Sequence, residues 1–166
     1  MTRNNGEHTP VGNGSEATSP SDREIVVSRR FNAPRELVWE AFTRPEHVAH
    51  WWGPEGFSTT TAEMDVRPGG VWRFVMHGPN GVDYQNFVRY TQVVKPERLV
   101  YLHGENEDRI HFEVTVTFVE GDGATEVTLR QVYDTKEARD RSVQDFGAIE
   151  GARQTLSRLA AHLETM

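Results

Sequence analysis

The chain has no cysteine among its 166 residues, and this absence excludes two structural classes. Disulfide frameworks and zinc sites built on thiolates both require cysteine. The chain also lacks any run of eighteen apolar residues, so no segment is predicted to cross a membrane as a helix. We therefore expect a fold that depends on an ordinary hydrophobic core, for which a chain of this length is sufficient.

Lysine is also scarce, occurring only at Lys95 and Lys136, and because 25 acidic residues outnumber 18 Lys and Arg the formal net charge is −7 at pH 7. A negative chain repels nucleic-acid phosphates and anionic lipids, so we expect neither nucleic-acid binding nor membrane insertion. The N-terminus lacks the apolar core of a signal peptide, which predicts a cytoplasmic protein. Monomer and homodimer both remain open.

Composition divides the chain into a tail and one domain. Residues 1–22 are rich in Gly, Asn, Ser, Thr and Pro, and such a segment buries too little apolar surface to offset the entropy lost on ordering. We predict a disordered tail over 1–22 and a single domain over 23–166.

The domain begins with one predicted strand and two short helices. The β-rich stretch EIVVSRRF predicts a strand over 24–31. Pro34 is typical of a first helical turn, and the helical spacing of apolar residues carries this helix to Phe42. A second helix is predicted from about Arg44 to Trp52, where Gly53 and Pro54 prevent its continuation.

Six further strands follow, separated by short turns rich in Gly, Pro, Asn and Asp. They are predicted over 57–66, 71–77, 82–94, 98–103, 109–120 and 124–133. Connections this short cannot make parallel crossovers, so these strands form an antiparallel meander.

The last thirty residues are predicted to form one long amphipathic helix. Its apolar stripe consists of Phe146, Ile149, Leu156, Leu159, Ala160 and Leu163. A seven-stranded antiparallel sheet with one apolar face buries that face best by curving around this helix. The predicted class is therefore α+β, with two short helices after the first strand.

Several spaced motifs in this order resemble a known family. They are Ala33-Pro34, Val38-Trp39, Pro45-Glu46, Trp51-Trp52-Gly53-Pro54, Asp65, Arg67-Pro68-Gly69-Gly70, Trp72, Pro96-Glu97-Arg98-Leu99, Gly151, Leu156 and Leu159. The order of elements resembles the START-like, or SRPBCC, superfamily and its helix-grip fold. Within it, the motifs resemble the activator of heat-shock protein 90 ATPase homologues over about residues 24–164.

The resemblance points to an internal cavity. Gly147 and Gly151 lie four residues apart in the predicted helix, and each costs about 1 kcal/mol relative to alanine. Either close contact with the sheet or space beside the helix would explain them. Family members commonly carry tryptophan after the glycine that matches Gly151, whereas this chain has Ala152. The missing indole would leave a void that neighbouring side chains or a ligand must fill.

Strand alternation and the helix pattern supply the candidate cavity residues. They are Trp51, Trp52, Trp72, Phe74, Met76, Tyr84, Asn86, Tyr90, Phe112, Val114, Leu129, Gln131, Tyr133, Phe146, Ile149, Ala152 and Leu156. Gln131 and Tyr133 are polar groups in line with an apolar face, as in sites that orient a ligand. The alternative is that this face is only partly buried at the end of its strand. Trp51 and Trp52 are predicted as core residues that also form a cavity wall.

Metal and catalytic signals are weak. His47 and His50 lie on one side of the second helix, but no third ligand is indicated, so we place both on its exposed face and predict no metal site. His103 and His111 flank a turn and are not read as ligands. No nucleophile motif is present, and we expect neither catalytic residues nor a cofactor.

Three functions remain open. The first is a stand-alone START-like domain that binds a small hydrophobic or amphipathic ligand internally. The second, which the family resemblance implies, is a co-chaperone that stimulates the ATPase of heat-shock protein 90, with that chaperone as partner. The third and least supported is a cyclase or hydrolase acting on a bound ligand, as in relatives within the superfamily.

Overall fold

The computed structural model describes residues 16–18, as backbone, and residues 21–166. Within these ranges the chain forms eight strands and four helices. They are β1 (Glu16–Thr18), β2 (Glu24–Phe31), α1 (Arg35–Thr43), α2 (Pro45–Trp51), β3 (Ser58–Met64), β4 (Val71–His77), β5 (Asp83–Val94), β6 (Arg98–Asn106), β7 (Arg109–Gly121), β8 (Ala124–Tyr133), α3 (Lys136–Phe146) and α4 (Ala148–Leu163).

All strands belong to one antiparallel sheet with the order β1-β2-β8-β7-β6-β5-β4-β3. The six later strands pair with their sequence neighbours, as their short turns require. Strand β2 pairs with β8, where Val27 lies opposite Leu129. Register shifts follow Thr61, Tyr90 and His103, and such bulges bend and twist a sheet. The predicted curved sheet of seven strands is confirmed.

The eighth strand, β1, was not predicted and lies inside the segment assigned to a tail. Its three residues pair with β2, with Ala17 opposite Val27. The rest of the predicted tail before residue 21 lies outside the described residues. The division into a tail over 1–22 and a domain over 23–166 therefore stays a prediction.

The prediction of a single C-terminal helix is wrong in one respect, because the helix is interrupted at Gly147. This residue adopts the left-handed conformation (φ 61°, ψ 43°), ends α3 and precedes the first residue of α4. Glycine reaches this region without steric cost, which makes it a common helix terminator. Phe146 consequently leaves the apolar stripe and is 79% exposed.

The break also revises the interpretation of the two glycines. Gly147 and Gly151 do not lie on one side of a continuous helix. A Cβ atom at Gly151 would meet only the Pro54 Cγ atom, at an ordinary 3.6 Å, so close packing does not require glycine there.

The core lies between the concave face of the sheet and the helices α1, α2 and α4. Helix α4 buries Leu156, Leu159 and Leu163, which confirms most of the predicted stripe. Helix α1 places Trp39 and Phe42 edge-on against Phe118, with ring centroids 5.3 and 5.1 Å apart. The aromatic pairs stabilise the packing of α1 against β7, since edge-to-face geometry adds to the free energy gained from burying the rings.

The adjacent tryptophans of α2 have different surroundings. Trp51 is 1% exposed, and its indole N–H donates to the Ala41 carbonyl oxygen at 3.0 Å. Trp52 lies beyond the last helical residue and turns toward the sheet, where its ring centroid is 4.8 Å from that of Trp72. Trp52 remains partly exposed. Trp51 is therefore a core residue, and the Trp52 ring packs against the concave face of the sheet.

A single arginine joins the end of α2 to α4. The Arg158 Nη1 atom donates to the carbonyl oxygens of Gly53 at 2.8 Å and Pro54 at 3.0 Å. Carbonyl groups at and beyond a helix end carry partial negative charge, which a guanidinium neutralises. Helix α2 is thereby held in a fixed position beside α4, although burial lowers the pKa of Arg158.

We predict that the two tryptophans contribute unequally to stability. Trp51→Ala removes a fully buried ring and should lower the free energy of unfolding by about 3–5 kcal/mol. Trp52→Ala removes a partly exposed ring and should cost roughly 1–3 kcal/mol. Chemical denaturation of both variants measures the difference. A loss for Trp52→Ala equal to or above that for Trp51→Ala would contradict this assignment.

Candidate ligand-binding site

The strand registers align inward-facing side chains into rows across the concave face. Cross-strand partners in register point to the same side of a sheet. The first row consists of Trp72, Val88, His103, Phe112 and Tyr133. The second consists of Tyr90, Tyr101, Val114 and Gln131, and the third of Leu99, Val116, Leu129 and Val27.

Several of these inward-facing side chains are not fully buried. Phe112 and His103 in the first row, Gln131 in the second and Leu129 in the third are all partly exposed. Their direction toward the helices means that solvent reaches the concave face itself. We call this partly exposed part of the concave face, together with the helices beside it, the candidate cleft.

Helix α3 closes one side of this cleft only loosely. None of its residues is buried, all of them lying in the described part of the chain. Ala138 and Val143 pack against the core but stay partly exposed, and the other connections are polar: Ser142 Oγ lies 2.9 Å from the Tyr133 hydroxyl, and Arg139 Nε donates to the Glu24 carbonyl oxygen at 3.2 Å. A helix attached in this way can move at lower energetic cost than one packed through buried apolar side chains.

A polar pair lies among the aromatic rings of the cleft. His103 Nε2 is 2.8 Å from Asn86 Oδ1, a geometry in which the ring N–H donates and Nδ1 keeps a free lone pair. The His103 ring centroid is 5.0 Å from that of Phe112 and 5.9 Å from that of Phe74. Burial, with a smaller effect from His111, lowers the pKa of His103 to about 4. The imidazole is therefore neutral at pH 7.

A second polar group lies at the β8 side of the cleft. The Tyr133 hydroxyl donates to Gln131 Oε1 at 3.1 Å and accepts from Ser142 Oγ. Tyr133 is only 4% exposed, so this stretch of the strand is not simply a solvated strand end. Burial raises the pKa of Tyr133, and its hydroxyl stays protonated at neutral pH.

An aromatic wall borders the opposite side. Trp72 and Phe74 stack with ring centroids 3.9 Å apart, and the Trp52 ring stands edge-on to both at 4.8 and 6.1 Å. The Trp72 indole N–H donates to Thr61 Oγ1 at 3.1 Å. The wall is rigid because each ring contacts the other two.

The rows carry no ionised side chain. None of their residues is Asp, Glu, Lys or Arg. Arg73 on β4 points to the convex face, where its Nε donates to Glu63 Oε2 at 2.7 Å and its Nη2 donates to Glu107 Oε2. Arg29 on β2 is an exception, because it lies opposite Val127 and in line with Val27 on the inward face. Burial also raises the pKa of Tyr101 and of Tyr90, so both phenols remain neutral. The cleft thus combines apolar surface with neutral hydrogen-bonding groups.

The structure brings most of the sequence-predicted candidates together on this face. On the sheet these are Trp72, Phe74, Met76, Asn86, Tyr90, Phe112, Val114, Leu129, Gln131 and Tyr133. Trp52, Ile149 and Ala152 are partly exposed and pack against the core cluster. Trp51 and Leu156 are enclosed by the core, and so are five of the sheet candidates: Trp72, Phe74, Tyr90, Val114 and Tyr133.

Two candidates lie apart from the cleft. Tyr84, near the start of β5, is 44% exposed, and its ring centroid is 6.1 Å from that of Phe57. Phe146 is exposed because α3 ends there. Strand alternation does not reveal where a strand leaves the core, and helix periodicity does not reveal a break.

Two residues of the cleft were missed by sequence reasoning. Tyr101 and His103 lie on the concave face of β6, in the second and first rows. The alternation of Leu99, Tyr101 and His103 within the predicted strand 98–103 was the signal that would have identified them. His111 does face outward, and its Nε2 atom is 3.0 Å from Glu105 Oε2.

The histidines of α2 require a partial correction. His50 is exposed as predicted, but His47 is partly buried, because the C-terminal part of α4 covers it. Across the described ranges, no group of three or more His, Cys, Asp or Glu side chains has a geometry that could hold a metal ion. Among the helices of the same ranges, none is long and apolar enough to cross a membrane.

An antiparallel sheet curved against a C-terminal helix, with an accessible apolar face, defines a helix-grip, or START-like, domain. The chain belongs to the family of Activator of Hsp90 ATPase homolog 1-like proteins, whose family model matches residues 32–164. The sequence-based assignment of fold and family is therefore confirmed.

Solved structures from several bacteria resemble this chain. Protein Ms6760 from Mycobacterium smegmatis is 30% identical, with a TM-score of 0.82 over 90% of this chain and 97% of that one. A Rhodobacter sphaeroides protein is 25% identical, with a TM-score of 0.80 over 92% and 99%. The AHSA1 protein of Silicibacter pomeroyi is 26% identical, with a TM-score of 0.68 over 86% and 98%. No curated protein gives a significant match.

We predict that His103 makes stability depend on pH. Its pKa falls from 6.5 to about 4 on folding, so between these values the unfolded chain binds more protons than the folded one. Its contribution is fully present above pH 6.5 and is lost as the pH falls, by up to about 3 kcal/mol. Urea denaturation from pH 7.5 to 4.5 should show this loss, and His103→Leu should reduce it. Parallel curves for the two proteins would contradict it.

Proposed function

We propose that the chain binds a small, uncharged and largely apolar ligand in the cleft between the concave face and helices α3 and α4. The observation that carries this proposal is the partial exposure of inward-facing Phe112, His103, Gln131 and Leu129. A core that served only for stability would bury such groups, since close packing is the rule in protein interiors.

The cleft's chemistry defines the ligand class. Phe112 and Trp52 offer partly exposed aromatic surfaces, which favour an aromatic or alicyclic skeleton, whereas Trp72 and Phe74 are buried in the core. The cleft rows hold no charge that could pair with an ionised ligand, and burying an unpaired charge is costly. His103 Nδ1 can accept a hydrogen bond, so the ligand carries at least one donor, such as a hydroxyl or amide.

Ala152 supports the same location. It lies on α4, is partly exposed and packs against the core cluster, whereas related sequences commonly have tryptophan at the matching position. The smaller side chain leaves volume beside the helix. A ligand that occupies this volume would restore contacts that an empty cleft lacks.

The first test is Ala152→Trp, which should fill the cleft with protein. We expect it to reduce binding of an apolar fluorescent probe at least tenfold and to leave the free energy of unfolding unchanged or higher. The matched control is Ala161→Trp, which adds the same ring on the exposed side of α4 and should leave probe binding unchanged.

The opposite results would contradict the proposal of a ligand-binding cleft. If Ala152→Trp lowered stability by about 1–3 kcal/mol, as overpacking does, and the unmodified protein bound no probe, the interior would be filled by its own side chains. Native mass spectrometry of the freshly purified full chain adds an independent measurement, with a bound small molecule as the expected result.

Membership of the family suggests a second function, stimulation of the ATPase of heat-shock protein 90. The family description is its only support, because no surface formed by residues 21–166 singles out a chaperone partner. We expect no change in the chaperone's ATPase rate when the purified chain is added in excess. A severalfold stimulation that survives Ala152→Trp would favour the co-chaperone and assign function to the outer surface.

A further inference from the structure

A cluster of three histidines lies outside the cleft, where α2 meets the last turn of α4. His47 Nδ1 is 3.0 Å from His162 Nε2, although 115 residues separate them along the chain. The ring of His50 stacks on that of His162, with centroids 5.2 Å apart and planes 15° from parallel. The cluster has no role in the proposed binding of an apolar ligand.

The cluster borders an open groove of about 460 Å³. The groove is lined by Leu37, Glu40, Glu46, His47, His50, His162, Thr165 and Met166. Water and ions therefore have access to the side chains of His47 and His162. Glu40 and Glu46 on the groove wall add negative potential, part of which Arg44 offsets because its Nη1 atom is 3.9 Å from Glu46 Oε2.

We propose that His47 Nδ1 and His162 Nε2 together bind one borderline divalent cation of the Zn²⁺ class. Imidazole nitrogens bind zinc at about 2.0–2.1 Å, and two such bonds at roughly a right angle place the nitrogens about 3 Å apart. The observed separation needs little adjustment. No third protein ligand completes the site within the described residues, so water fills the remaining positions.

The protonation states suit this chemistry. The present contact places one proton between the two nitrogens, and a cation would take its place. The displaced proton moves to the other nitrogen of the same ring, so each imidazole stays neutral and donates one lone pair.

A cation here would connect two distant parts of the fold. Its ligands lie on α2 and near the end of α4, and the unfolded chain does not hold them together. Binding only to the folded state raises its stability by mass action. Zinc should therefore increase the melting temperature by several degrees in the full chain.

The test is calorimetric titration of ZnCl₂ into the full chain at pH 7. We expect one site per chain, with affinity reduced at least tenfold in both His47→Gln and His162→Gln and the thermal shift abolished. The matched control is His111→Gln, which removes an exposed histidine on β7 that contacts a single carboxylate and should leave binding unchanged.

A second measurement requires no substitution. In nitrogen-15 spectra of the histidine rings, zinc should shift His47 Nδ1 and His162 Nε2 while the His111 ring keeps its frequencies. The proposal is overturned if zinc produces no saturable site, if both glutamine variants retain the affinity, or if the ring nitrogens that shift belong to other histidines.

Discussion

The left-handed backbone at Gly147 is the constraint on which the interior depends. It separates α4, which buries an apolar stripe, from α3, which buries no side chain. One continuous helix would have carried Phe146 inward along the same stripe. The chain turns instead, and the inward-facing Phe112 and Gln131 are partly exposed. The proposed cleft lies at this part of the concave face.

The three rows of the sheet that face the helices contain no ionised side chain. Strand alternation sends charged residues such as Arg73 and Glu63 to the convex face, where they pair with each other in water. The polar groups that face inward include an imidazole, two amides and phenols. Burial lowers the pKa of His103 and raises that of Tyr101, so each is uncharged at pH 7.

Family membership accounts for the architecture, whereas the chemistry of the interior depends on this chain's own residues. Relatives at 25–30% identity share the fold over nearly its whole length. The polar pair of His103 and Asn86 and the small Ala152 determine the shape and chemistry of this particular interior. The histidine pair of His47 and His162 is a separate feature, which results from packing α2 against the end of α4.

Local chemistry was sufficient to predict most of the fold. Turn residues and alternation defined every strand from β2 to β8 and the inward faces of most of them, because both depend on near neighbours in the chain. The break at Gly147 was not predictable in this way, since glycine is compatible with a helix interior as well as with its end. The contact between His47 and His162 likewise required tertiary structure, because only the packing of two helices brings residues 115 positions apart within 3.0 Å.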